Sequence, residues 1–139
     1  MTSTPTHEAA CSCGQLRIRL AGAPQLVSSC HCLACQRRTG APFGASAFFL
    51  RNQVVSDEGE RRTYTRRADS GASLTFNFCL TCGSTVFWHN TRLADMVCVA
   101  VGAFADPSFP RPARTVWTVT KHGWLTFPED IPHHRQNPT

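Results

Sequence analysis

At 139 residues the chain is the size of one domain, and a domain of that size buries about two-thirds of its unfolded surface. A hydrophobic share of 42% excludes a disordered chain, and no apolar run approaches the roughly 18 residues of a membrane span. The formal charge of +5 invites a nucleic-acid partner, but it counts eight cysteines as neutral thiols. Seven thiolates on two zinc ions would bring it to about +2, so nucleic acid is not expected.

In chain order, residues 1–10 read as a polar, flexible tail without the apolar core of a secretory signal, which points to a cytoplasmic protein. Leu16 to Leu20 alternates apolar and polar residues, as a half-buried strand does. A short helix is expected after Cys32, from Leu33 to Arg38, and a strand from Phe43 to Leu50. Arg61, Arg62, Arg66 and Arg67 are interleaved with Asp57, Glu58, Glu60 and Asp69, which suggests a solvated, self-paired loop. Leu74, Phe76 and Phe78 alternate with polar residues, and Ser84 to Trp88 reads as the returning partner strand. Met96 to Val101 is continuously apolar and suits a central strand; Thr115 to Val119 is β-branched and aromatic. The expectation is a mainly β domain over residues 11–132, with a second tail at 133–139.

Seven of the cysteines stand in three groups: Cys11-Ser12-Cys13-Gly14, Cys30-His31-Cys32-Leu33-Ala34-Cys35 and Cys79-Leu80-Thr81-Cys82-Gly83. In a reducing compartment such clusters bind metal or do chemistry, so a disulfide framework is the weaker reading. On a strand, Cys11 and Cys13 would point to one face. Cys79 and Cys82 would curl around an ion, with Gly83 free to turn left-handed. Together these four close a tetrahedral site, assigned here to a structural zinc. Cys30, Cys32 and Cys35 supply three thiolates and leave the fourth position open, which marks a catalytic zinc. Iron also occupies cysteine sites, but zinc suits a thiolate tetrahedron best. His31, between two of these ligands, would point the other way on a strand. Cys98, within an apolar run, reads as a small buried hydrophobe.

These motifs resemble the glutathione-dependent formaldehyde-activating enzyme family, which includes centromere protein V. The resemblance rests on C-x-C-G at Cys11, C-H-C-x-x-C-Q from Cys30 to Gln36, and F-C-x-x-C-G-S from Phe78 to Ser84. Arg37 to Phe43 and Trp124 to Pro132 support it, and the likeness spans about residues 11–132. It implies an Mss4-like zinc-binding fold of packed antiparallel β-sheets. It implies the same division into a structural and a catalytic zinc, and a carbon–sulfur lyase that joins glutathione to formaldehyde as S-hydroxymethylglutathione. One departure stands out: family members often carry His-Ile before the last strand, where this chain has Thr115-Val116.

On this reading the zinc at Cys30, Cys32 and Cys35 accepts the thiol as its thiolate, which attacks a small aldehyde; polarisation of the aldehyde oxygen is the alternative. Arg37 and Arg38 follow the site directly and are candidates for the substrate carboxylates, since the guanidinium fork fits them. Two rivals are a non-enzymatic zinc module that binds protein or nucleic acid, and a thiol–redox enzyme, for which Cys98 alone is spare. A third is a second cluster that is merely structural. No membrane partner is expected, and a homodimer is allowed.

Overall fold

The computed structural model of the chain describes residues 4–138. Ten strands and one helix follow in order: β1 Thr6–Ala10, β2 Arg17–Ala21, β3 Leu26–Cys30, α1 Leu33–Thr39, β4 Gly44–Leu50, β5 Val54–Glu58, β6 Arg61–Arg67, β7 Ser73–Cys79, β8 Thr85–Asn90, β9 Met96–Ala100 and β10 Arg114–Val116. Two compact units divide the chain. One comprises the residues up to Gln25 and Ala47–Phe109; the other comprises Leu26–Ser46 and the residues from Pro110 onward. Among the described residues no helix is long and apolar enough to cross a membrane.

The first unit holds an antiparallel sheet in the order β1-β2-β5 and a run of strands in the order β4-β9-β8-β7-β6. In β2 the alternation seen in the sequence is real: Ile18 and Leu20 are buried, while Arg17 and Arg19 face outward and pair with Glu58 and Glu8. Such exposed pairs contribute little, so the buried residues hold the strand. Phe49, Val86, Val97 and Val99 join Leu16, Ile18 and Leu20 among the fully or nearly fully buried residues. Phe76, Trp88 and Cys98 are register neighbours across β7, β8 and β9, and with Leu74 they form one apolar cluster. Cys98 is therefore packing, as its neighbours in sequence suggest.

Residues 6–10, expected within a tail, form β1, because Ala9 is wholly buried and the backbone pairs with β2 along its length. The arginine-rich stretch expected as a loop is instead strands β5 and β6. Arg61 stacks over Phe87 and Arg66 over Phe76, so their guanidinium groups and stems cover aromatic rings. The self-pairing expected there does occur, between Arg61 and Asp57 at 2.8 Å.

In the second unit the order is β10-β3-β4, with α1 between β3 and β4. β10 pairs with β3 in parallel, so the strands are mixed and not wholly antiparallel. The strand expected over 115–119 stops at Val116. Trp117 takes a left-handed conformation (φ 59°), and a turn of 3-10 helix follows at Thr118–Thr120. The expected second tail is partly tied down: His134 donates its N–H to the Thr115 carbonyl, and Trp117 N–H reaches the Gln136 carbonyl. Residues 1–3 and 139 of the two expected tails lie outside the described residues.

Candidate metal centres

The four-cysteine group lies in the first unit. Cys11 and Cys13 sit in a turn after β1 and not on a strand: Gly14 N–H bonds the Cys11 carbonyl, and Cys11 N–H bonds the Leu16 carbonyl, both at 3.0 Å. The turn brings the sulfurs to 3.6 Å, so convergence comes from tight chain reversal and not from strand alternation. Cys79 ends β7 and Cys82 lies in the turn to β8, closed by Gly83 N–H on the Cys79 carbonyl at 2.9 Å. Gly83 has φ +79°, as a C-x-x-C-G turn requires. Cys13 and Cys79 sulfurs are 3.6 Å apart, and all four sulfurs lie within 4.8 Å of one another. A zinc–sulfur length of about 2.3 Å gives a tetrahedral edge of about 3.8 Å, so zinc fits.

N–H donors aim at these sulfurs. Leu16 N–H points at Cys11, and Thr81 and Cys82 N–H groups point at Cys79. Gln15 binds across: its Nε2 donates to Cys79 Sγ at 2.9 Å and to the Glu60 carbonyl, while its Oε1 accepts from Glu60 N–H. Hydrogen bonds from the Ser84 side chain and backbone draw Cys82 down to about 5. Burial opposes ionisation of Cys79, but the Gln15 and backbone N–H bonds outweigh it and bring it to about 7. Cys13 gains from a Gln15 backbone bond, yet burial and its sulfur neighbours push it up to about 11. Four crowded sulfurs cannot all ionise without a cation among them, and a divalent ion removes that conflict.

The three-cysteine group lies in the second unit. Cys30 ends β3, Cys32 caps α1 and Cys35 sits in its first turn. Cys32 is extended (φ −64°, ψ 153°) and its sulfur accepts the Cys35 N–H at 3.3 Å, which fixes the start of the helix. The three sulfurs are half-buried and lie within 4.8 Å of one another, with no fourth His, Cys, Asp or Glu among the described residues in the group. Hydrogen bonding to Cys32 and Cys35, then burial, raises Cys30 far above the ordinary thiol range. Cys35 is lowered by its bond to Cys30 but raised more by Cys32 and burial. Here too a cation would relieve the crowding. None of the eight cysteines is in a disulfide.

His31 does not join this group. Its N–H bonds the Val116 carbonyl, and its ring is fully buried on the other side of the β3–β10 ladder. His31 Nε2 lies 2.8 Å from Thr115 Oγ1, which accepts from Ser29 Oγ at 2.7 Å. Phe43 and Phe127 flank the ring at 5.6 and 4.9 Å, and burial holds its pKa below the ordinary value. Nδ1 is buried with no partner. Thr115, which stands where the resemblance leads one to expect a histidine, therefore serves as the buried partner of His31.

Of the two arginines singled out in the sequence, Arg37 is exposed. Arg38 folds back on its own unit: a Cβ on Gly44 would stand 2.8 Å from Arg38 Nη2 and 3.4 Å from Cys35 Cβ. Its charge favours the Cys35 thiolate. Sequence reasoning missed Arg114, which the parallel pairing places opposite Ser28, two residues from the Val116–Cys30 pair. No local pattern joins positions 86 residues apart.

Fold and sites together define a mainly β protein with one group of four and one group of three converging cysteine sulfurs. The model of the glutathione-dependent formaldehyde-activating enzyme family matches residues 6–120, and the chain belongs to that family, whose fold is Mss4-like. No curated protein matches the chain. Among solved structures, a crystal structure of a Rhodobacter sphaeroides protein is 17% identical over 91% of this chain and 98% of that one, with a TM-score of 0.49.

Proposed function

We propose that this chain is a zinc-dependent carbon–sulfur lyase acting in the synthetic direction, which joins glutathione or a similar thiol to formaldehyde or a related small aldehyde and gives S-hydroxymethylglutathione. One observation carries the proposal: this member of the family has a half-buried group of three sulfurs with no fourth protein ligand among the described residues, in addition to a separate group of four. Cys11, Cys13, Cys79 and Cys82 would hold a structural ion, and Cys30, Cys32 and Cys35 a catalytic one. Zinc at the second group would supply a fourth position where a thiol loses its proton at neutral pH.

The chain's own residues set the rest. The Cys32 cap and the end of β3 bring the three sulfurs together, and the fourth position would be left for substrate. Arg38 on α1 carries a positive charge beside Cys35, where it would attract a substrate carboxylate. Buried His31 and Thr115 brace the backbone between Cys30 and Cys32 and take no part in proton transfer. Glutathione as substrate implies a cytoplasmic enzyme.

The test is exchange NMR on zinc-loaded protein with glutathione and formaldehyde at equilibrium, beside Cys32→Ala. Exchange well above the spontaneous rate in wild type, and absent in the variant, is expected. Equal rates would overturn the activity and favour a binding module.

A further inference from the structure

Resting on the function proposed above, we infer that Arg114 binds a carboxylate of the thiol substrate, so that the site selects anionic thiols over neutral ones. The β3–β10 ladder has two faces. Partners opposite each other share a face, and residues two apart stay on it. Arg114 pairs with Ser28, and Val116 with Cys30, so Arg114, Ser28 and Cys30 stand on one face. Ser29 and Thr115, the next pair, stand on the other with the buried His31. The ladder thus separates a bracing side from a side that carries one of the three sulfurs and a guanidinium.

The state of Arg114 points to a ligand. Its Nε donates to Ser28 Oγ at 3.2 Å, which fixes the plane of the fork. Neither Nη has a hydrogen-bond partner among the described residues, and neither is buried, so both are open to solvent. The side chain is half-buried, and no Asp or Glu among the described residues forms an ion pair with it. Arg17, Arg19, Arg61 and Arg111, by contrast, each pair with a carboxylate. A guanidinium held in plane by Nε, with both Nη groups presented outward, is suited to bidentate binding of a carboxylate. Burial disfavours the lone cation, and the Cys30 thiolate offsets this in part. Arg38 and Cys35 both border Gly44, and Arg114 shares the ladder face of Cys30, so two positive charges belong to the neighbourhood of the sulfur group. A substrate with a thiol and two carboxylates matches that pattern.

The test is calorimetry on zinc-loaded wild type, Arg114→Met and Arg114→Lys with two probes, glutathione and glutathione diethyl ester. The probes share a thiol and differ in their carboxylates. Wild type is expected to prefer glutathione, and Arg114→Met to cut that preference about 10- to 100-fold, as for a lost hydrogen bond to a charged group. Arg114→Lys, which keeps the charge and loses the fork, should fall between. Binding of the ester should be unchanged in both, which also reports that the variants are folded and loaded. An equal preference in wild type and Arg114→Met overturns the inference, as does a wild type that does not distinguish the probes. Exchange NMR on the same samples separates the two readings. A catalytically silent wild type that still prefers glutathione through Arg114 refutes the activity and keeps the anion site. An active wild type whose preference survives Arg114→Met refutes the anion site and keeps the activity.

Discussion

Replacing Gly59 with alanine should damage the four-cysteine site without touching a cysteine. Gly59 has φ +120°, which L residues rarely adopt, and a Cβ there would collide with the Gln15 carbonyl oxygen and stand 2.6 Å from Leu16 Cα. These are backbone atoms, so no side chain can swing away. The strained conformation costs about 1–3 kcal/mol and the overpacking about the same again. The sum is roughly 2–6 kcal/mol, and at about 3–4 °C per kcal/mol for a chain of this length the melting point should fall by roughly 6–24 °C. The displaced residue is Gln15, which bonds Glu60 twice and Cys79 Sγ once, so a zinc ion loaded at the four cysteines should also leave faster. Thermal melting and release of zinc to a coloured chelator read the two effects. Gly71→Ala is the control: its φ is +89° but no atom lies within 4 Å of the added Cβ, so it should lose only about 1–2 kcal/mol. Equal losses in the two variants would refute the reasoning, because the collision would then contribute nothing.

Three further outcomes are expected. Cys79→Ala should unfold the chain, whereas Cys32→Ala should leave it folded; circular dichroism with melting curves would refute the division of roles if both lost structure equally. Thr115→Val should cost about 2–4 kcal/mol, since it strands two buried partners, Ser29 Oγ and His31 Nε2, while Thr115→Ser should cost much less; urea midpoints at constant slope report this. His89 is held below its ordinary 6.5 by burial and by the charge of Arg51, against a smaller pull from Asp57. The unfolded chain therefore takes up this proton first, and stability should fall as pH drops below 6.5 until the folded ring also protonates. Its imidazole signal titrating at or above 6.5 would contradict this, and His89→Gln should flatten that part of the pH profile.

Strands with an apolar alternation, β2 and β7, were legible in the sequence, and β8 was legible as the returning partner of β7. So was α1, because Cys32 caps it and Gly40 ends it. The cysteine groups were legible because their spacing reflects local turn geometry, even though the Cys11–Cys13 turn had been expected as a strand. β6 was hidden because its arginines lie over aromatic rings of neighbouring strands, and charge alone reads as solvated loop. The β3–β10 pairing was hidden for another reason: parallel contacts between residues 28–30 and 114–116 leave no mark on either segment. Arg114 and the Thr115–His31 pair are visible only once that ladder is in place.

The two sulfur groups also differ in how they assemble. Cys13 and Cys79, in contact in the folded chain, are separated by 66 residues, while Cys30, Cys32 and Cys35 fall within six. Closing the longer loop costs roughly 2 kcal/mol more in chain entropy. During synthesis the compact group also leaves the ribosome before Cys79 does. In the proposed zinc protein, the position destined for chemistry would therefore capture an ion first, and the ion that secures the fold would arrive last.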